Sequence, residues 1–279
     1  MGPGGRAYGA SVSQLLGGYR SALPAYVSTL HGAETGSLST PAHYADFAVQ
    51  CADLGFPAFK IHGWPGEDVD REVRNVLGVR DAVGDRMALM LDPSSSYRTF
   101  ADAVRVGRAC DEANFFWYED PYLEGGVSVH SHRRLAELLR TPLLLGEHVR
   151  GFSAHVDQIV ARGTDFVRAD ADLDGGITGV MKIAHAAEGF GLDVELHGPG
   201  PAHRACMSAI RNSNFYELAL SAPSLLRASA DFPVYGDYRD DVLDAGPGGT
   251  FEVPTGPGLG VEFDTDWIAA HVVDEFVAS

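Results

Sequence analysis

Residues 114–121, Asn114-Phe115-Phe116-Trp117-Tyr118-Glu119-Asp120-Pro121, run four consecutive aromatics into two carboxylates and a proline. Aromatics favour strands, and an unbroken apolar run that stops at a proline reads as a buried strand delivering charge at its C-terminal end. The same design recurs on either side. Upstream, Met87-Ala88-Leu89-Met90-Leu91 ends in Asp92, and residues 56–62 close with Lys60-Ile61-His62. Downstream, Pro142-Leu143-Leu144-Leu145-Gly146 ends in Glu147, Phe166-Val167-Arg168-Ala169 in Asp170, Leu192-Asp193-Val194-Glu195-Leu196 in His197, and Asn214-Phe215-Tyr216 in Glu217. Pro24-Ala25-Tyr26-Val27-Ser28 stands first, which makes eight strands.

Helical stretches separate them. Ser39-Thr40-Pro41 opens one with a cap residue and an early proline, and others cover about 67–83, 99–113, 131–139, 153–161, 178–189 and 202–211. Strand and helix alternating every 20 to 30 residues or so predict the α/β class and a TIM-type (β/α)7β barrel. The active face of such a barrel is built from the C-terminal strand ends, where strands two to eight here carry an ionisable group. Residues 1–20, rich in Gly and Ser, read as a flexible lead-in, and 21–221 as the barrel. Residues 222–279 read as a loop-rich segment packing on its edge, helical only over 267–277.

Composition narrows the function classes. A net charge of -17 argues against a nucleic-acid or anionic-membrane partner, since both need a basic face. Cys51, Cys110 and Cys206 show no ligand spacing and read as buried thiols of a reducing compartment. No apolar run approaches the roughly 20 residues of a membrane span, and the start has no signal-peptide core, so a cytoplasmic protein is expected.

Asp92, Glu119 and Glu147 end three successive strands and so gather into one small region. Three neighbouring anions with oxygen donors are best compensated by a hard divalent cation, most naturally Mg2+. Zinc suits the trio less, because it lacks His and Cys. Across the mouth, the period of two points Lys60 and His62 the same way, and Asp170 neighbours His197. An Asp beside a His sets its tautomer and raises its basicity, which makes a proton-transfer pair.

These residues resemble the enolase superfamily, and within it the mandelate racemase/muconate lactonizing enzyme-like group of acid sugar dehydratases and racemases. The resemblance runs from Leu15-Leu16-Gly17-Gly18-Tyr19-Arg20 to Gly258-Leu259-Gly260-Val261-Glu262-Phe263. It is carried by Lys60-Ile61-His62, Tyr118-Glu119-Asp120-Pro121, Gly146-Glu147-His148, Asp170 with Gly175-Gly176-Ile177-Thr178-Gly179, and His197. It implies Mg2+ on Asp92, Glu119 and Glu147, Lys60 and His62 on one side of the substrate, and the His197–Asp170 pair on the other. It also implies that Glu217 hydrogen-bonds a developing enediolate. The family's strand-two motif is Lys-x-Lys, and His62 stands here in place of the second lysine. Dehydration of a sugar acid, a small-molecule carboxylate, is thereby favoured over racemisation by two opposed bases.

Family members also carry an N-terminal capping domain, and this chain begins about where that domain would end. The implied object is a barrel without its cap, whose apolar docking surface would drive association into a homo-oligomer. A racemase or epimerase of a 2-hydroxy acid, using the same intermediate, is the nearest alternative. A catalytically silent truncated barrel is the alternative from another class. A metal-dependent amidohydrolase would want His-x-His on strand one, where Tyr26-Val27-Ser28 has none.

Overall fold

A computed structural model of the chain describes residues 2–64, 68–122, 128–226 and 234–273. Eight parallel strands form the sheet: β1 Ala22–Thr29, β2 Ala58–His62, β3 Ala88–Asp92, β4 Trp117–Glu119, β5 Leu143–Leu145, β6 Phe166–Ala169, β7 Asp193–Leu196 and β8 Tyr216–Ser221. A short β9, Thr250–Glu252, pairs antiparallel with the start of β1. Helices Pro41–Asp53, Val69–Val83, Phe100–Glu112, Val129–Ala136, Phe152–Val160, Gly176–Gly189 and Pro201–Ala209 follow β1 to β7 in turn, the expected (β/α)7β order. Their starts are set locally: Thr40, Asp68 and Thr99 each accept a hydrogen bond from a first-turn backbone N–H, which satisfies a donor the helix cannot.

The ladder runs unbroken in the order β7-β6-β5-β4-β3-β2-β1-β8. Between β7 and β8, the described residues form no ladder, and side chains close the seam. Glu195 accepts hydrogen bonds from the backbone N–H groups of Asn214 (2.9 Å) and Phe215 (3.2 Å) and from the Asn214 amide (2.7 Å). At the opposite end of the seam, Glu217 accepts from Gly198 N–H at 2.7 Å.

Side-chain alternation splits the strands into two sets. Outward residues such as Val27, Phe59, Leu89, Tyr118, Leu145, Val167 and Leu218 join helix residues such as Phe47, Val76 and Val106 in the main core. Inward residues Tyr26, Ala58, Met90, Trp117 and Leu144, with Phe116, Phe166 and Phe215 against them, plug the lower barrel. Above this plug, the inward positions of β2, β4, β6 and β8 carry Lys60, Glu119, Arg168 and Glu217, all at most 2% exposed.

Three expectations change. The eighth strand begins at Tyr216 and continues to Ser221, so Glu217 lies inside the barrel on the register of Tyr26 and not at a strand tip. Asn214-Phe215 is the approach to the strand, held by Glu195. The expected flexible lead-in contains a helical turn, Val12–Leu15, with a Ser11/Gln14 capping box, and Val12 is fully buried and bonded to Gly258 O. The helix expected over 267–277 occupies Thr265–Ala270, and residues 274–277 of that expectation, like the Glu67 start of an earlier helix, lie outside the described residues. Cys51, Cys110 and Cys206 are free and buried, and no helix of the described residues is long and apolar enough to cross a membrane.

Candidate active site

Lys60 and Arg168 form the floor of the mouth. Lys60 Nζ lies 2.9 Å from Glu119 Oε2, 2.9 Å from Glu217 Oε1 and 3.3 Å from Asp92 Oδ2. Arg168 Nε lies 3.0 Å from Glu119 Oε1, and Nη2 lies 2.8 Å from Glu217 Oε2 and donates to the Tyr26 hydroxyl at 2.9 Å. Burial works against both cations, but Glu119 and Glu217 outweigh it and hold the two groups well above their ordinary values. Burial likewise opposes ionisation of Glu217, which Arg168 and Lys60 overcome, leaving it well below the usual carboxylate range.

Arg168 and Tyr26 were not singled out by their sequence. The available signal was the period of two, which places Arg168 on the inner face two residues before Asp170, as Lys60 stands two before His62.

The rim lies above. Asp92 ends β3, where Ser94 N–H donates to Oδ1 at 2.7 Å and His62 Nε2 lies 3.0 Å from Oδ2. Burial would raise Asp92, but His62 and Lys60 hold it below the usual range. The other nitrogen of His62 donates to Thr29 O at 2.7 Å, so strand-one backbone orients the ring, and His31 packs beside it at 4.8 Å between centroids. Glu147 follows β5 across Gly146, where a φ of +132° and the 2.6 Å at which an added Cβ would meet Arg168 O exclude a side chain. One ligand atom each from Asp92, Glu119 and Glu147 lies within 4.8 Å of the others, as the strand-tip reading requires.

On the facing side, His197 Nδ1 donates to Asp170 Oδ2 at 2.8 Å, leaving Nε2 toward the mouth, 3.7 Å from Glu147 Oε2. His203 Nε2 accepts from Ala171 N–H at 3.1 Å and lies 3.4 Å from Asp170 Oδ1. Burial would raise Asp170, yet the bond from His197, with His203 nearby and the Asp172 N–H on Oδ1, holds it well below the usual range. Burial would lower His197, and its bond to Asp170 raises it instead. The pair is therefore a proton acceptor of increased basicity aimed at the space above the carboxylates.

Period-two alternation after Glu119 would turn Asp120 away from the strand tip, and the structure does otherwise. The Asp120 φ of +31° breaks the alternation, and its carboxylate, fully buried, lies within the same 4.8 Å ligand range of Glu147 and His148. Asp92, Glu119 and Glu217 pair with Lys60 or Arg168, while the carboxylates of Asp120 and Glu147 lie together beside His148. Burial pushes Glu119 up, and it pushes Asp120 up further with Glu147 and Glu119 adding to it. The all-oxygen set and the excess of negative charge fit a hard divalent cation at Asp92, Glu119 and Glu147.

The family model for enolase C-terminal domain-like proteins matches residues 43–267. The chain belongs to this family. It is 29% identical over 191 residues to L-talarate/galactarate dehydratase of Salmonella typhimurium, covering 68% of this chain and 46% of that protein. D-gluconate dehydratase of Thermoproteus tenax is 26% identical, with 92% of this chain and 51% of that protein covered. The chain therefore spans about half the length of these two relatives. Among solved structures, D-glucarate dehydratase from Agrobacterium tumefaciens complexed with magnesium superposes with a TM-score of 0.83 at 29% identity, over 96% of this chain and 70% of that one. The likeness extends to racemases, such as the N-succinylamino acid racemase of Amycolatopsis, 27% identical over 92% of this chain and 64% of that protein.

Proposed function

We propose that this chain is the catalytic barrel of a Mg2+-dependent lyase that removes water from a sugar acid after abstracting the proton α to its carboxylate. The observation carrying this reading is the His197–Asp170 pair, 2.8 Å apart, with His197 Nε2 3.7 Å from Glu147 in the carboxylate set. Asp92, Glu119 and Glu147 would hold the cation, which when bound supplies the positive charge that offsets a carboxylate gaining a second negative charge.

The chain's own residues supply the rest. His197 takes the α-proton through Nε2, while Asp170 fixes Nδ1 as the protonated nitrogen and stabilises the imidazolium that results. His62, anchored to Thr29 O, stands on the other side, where it orients the substrate and assists protonation of the departing β-hydroxyl. Lys60 and Arg168 keep Glu217 ionised beneath the substrate and pair with Glu119 beside it. Glu217 also accepts Gly198 N–H, which places the loop following His197. The dehydratase relatives, on galactarate and gluconate by their names, support a sugar acid as substrate.

The test is incubation of the protein with Mg2+ and a panel of aldonic and aldaric acids in D2O. Metal-dependent formation of a 2-keto-3-deoxy acid is expected. Deuterium uptake at the α-carbon without loss of water would move the assignment to a racemase or epimerase. Normal Mg2+ binding with neither keto acid nor α-exchange would overturn both enzyme readings and leave a silent barrel.

A further inference from the structure

Asp120 is fully buried, and neither of its carboxylate oxygens has a hydrogen-bond partner among the described residues. Leaving such a group unmatched is costly, since burying a polar group without a partner forfeits its hydration. Its backbone is already committed: the N–H donates to Leu144 O at 3.2 Å, and the C=O accepts from Ser95 N–H at 2.8 Å. With φ at +31°, the carboxylate lies within 4.8 Å ligand range of Glu147 and His148, while Lys60 and Arg168 pair with Glu119 and Glu217. His148 Nε2 lies 3.0 Å from Glu147 Oε1, and its side chain is 47% exposed, open to an incoming ion.

We propose that Asp120, Glu147 and His148 form a second divalent-cation seat next to the first, sharing Glu147 and suited by its nitrogen donor to a transition metal such as Mn2+. One imidazole nitrogen with carboxylate oxygens favours first-row transition ions, whereas the all-oxygen trio suits Mg2+. The second seat supplies the positive charge that the orphaned Asp120 lacks. It rests on the Mg2+ reading only in sharing Glu147, since Asp120 and His148 belong to the second seat alone.

The experiment is Mn2+ binding to the metal-stripped protein, counted by elemental analysis and by EPR. Two ions per chain are expected, with spin coupling between them because one carboxylate is shared. His148→Ala and Asp120→Asn should each weaken the second ion at least about tenfold, as loss of a ligand or its orienting partner does. Asp92→Asn should weaken the first and leave the second. If Asp120→Asn fails to fold by circular dichroism, His148→Ala, at the surface, decides alone. A single ion in the wild type, or two that both survive His148→Ala and Asp120→Asn, overturns the second seat. No ion at all overturns the Mg2+ reading as well.

Discussion

The floor and the rim of this barrel mouth are both made of carboxylates and cations, yet they solve different problems. On the floor, Lys60, Glu119, Arg168 and Glu217 are at most 2% exposed, and each charge touches an opposite one within about 3 Å. On the rim, Asp92, Asp120 and Glu147 crowd together, Lys60 and His62 pair with Asp92, His148 pairs with Glu147, and His197 stands at the edge of solvent. A closed network of paired charges holds a shape. A cluster with surplus negative charge is unfinished without a cation. The two layers stand about two residues apart on β2 and β6, and Glu119 joins them, paired with the floor cations and within ligand range of Asp92 and Glu147.

Breaking the floor should give the largest effect. Arg168→Met leaves Glu119 and Glu217 buried with one cation fewer, and loss of one partner from a buried pair costs about 3–5 kcal/mol, read as a lower urea midpoint. The rim should respond oppositely. His197→Asn is expected to slow α-proton exchange about 10²–10⁴-fold while the urea midpoint stays within about 1 kcal/mol of wild type. A large loss of stability in that variant would erase the distinction between the layers.

A buried carboxyl in no ion pair among the described residues extends the comparison. Glu72, 3% exposed and bonded to the Asn75 amide at 3.1 Å, is pushed up by burial to about 7. Its folded value lies above the unfolded one, so the native state binds more protons between about pH 4.5 and 7, and stability drains away as pH rises through that window. Glu72→Gln mimics the protonated form, and its stability relative to wild type should therefore rise with pH by up to about 1.4 kcal/mol per unit there, measured by urea unfolding at several pH values. The floor carboxylate Glu217, held low by its cations, should show no such gain when replaced by Gln. At the bottom of the scale, Arg105→Ala removes an exposed surface pair with Asp70 and should shift stability by less than about 1 kcal/mol.

Much of this arrangement was legible in the sequence, because period-two alternation and a charge at the end of an apolar run are local signals. Asp92, Glu119, Asp170, His197 and the Lys60–His62 pair could be placed from them. The misses have physical causes. Asp120 escaped because a left-handed φ of +31° reverses the facing that alternation assigns. Glu217 was set at a strand end because Asn214-Phe215-Tyr216 looks like a strand, whereas the first two of those residues are tethered by the distant Glu195. Arg168 was passed over since its two carboxylate partners lie 49 residues or more away along the chain, and a strand pattern reports facing, not pairing.

The seam between β7 and β8 carries a consequence of its own. Seven joints of this cylinder are zipped by backbone and accept any residues that tolerate a strand. The eighth is buttoned below by Glu195 and Asp193 on Asn214-Phe215, beside the bond from Val194 N–H to Asn212 O, and above by Glu217 on Gly198. A cylinder fastened this way has a defined place to come undone. The amides of Asn214, Phe215 and Gly198 would be the first of the strand-edge hydrogens to exchange with solvent, and since the upper button is also a site residue, its loss would loosen the wall as well as alter the chemistry.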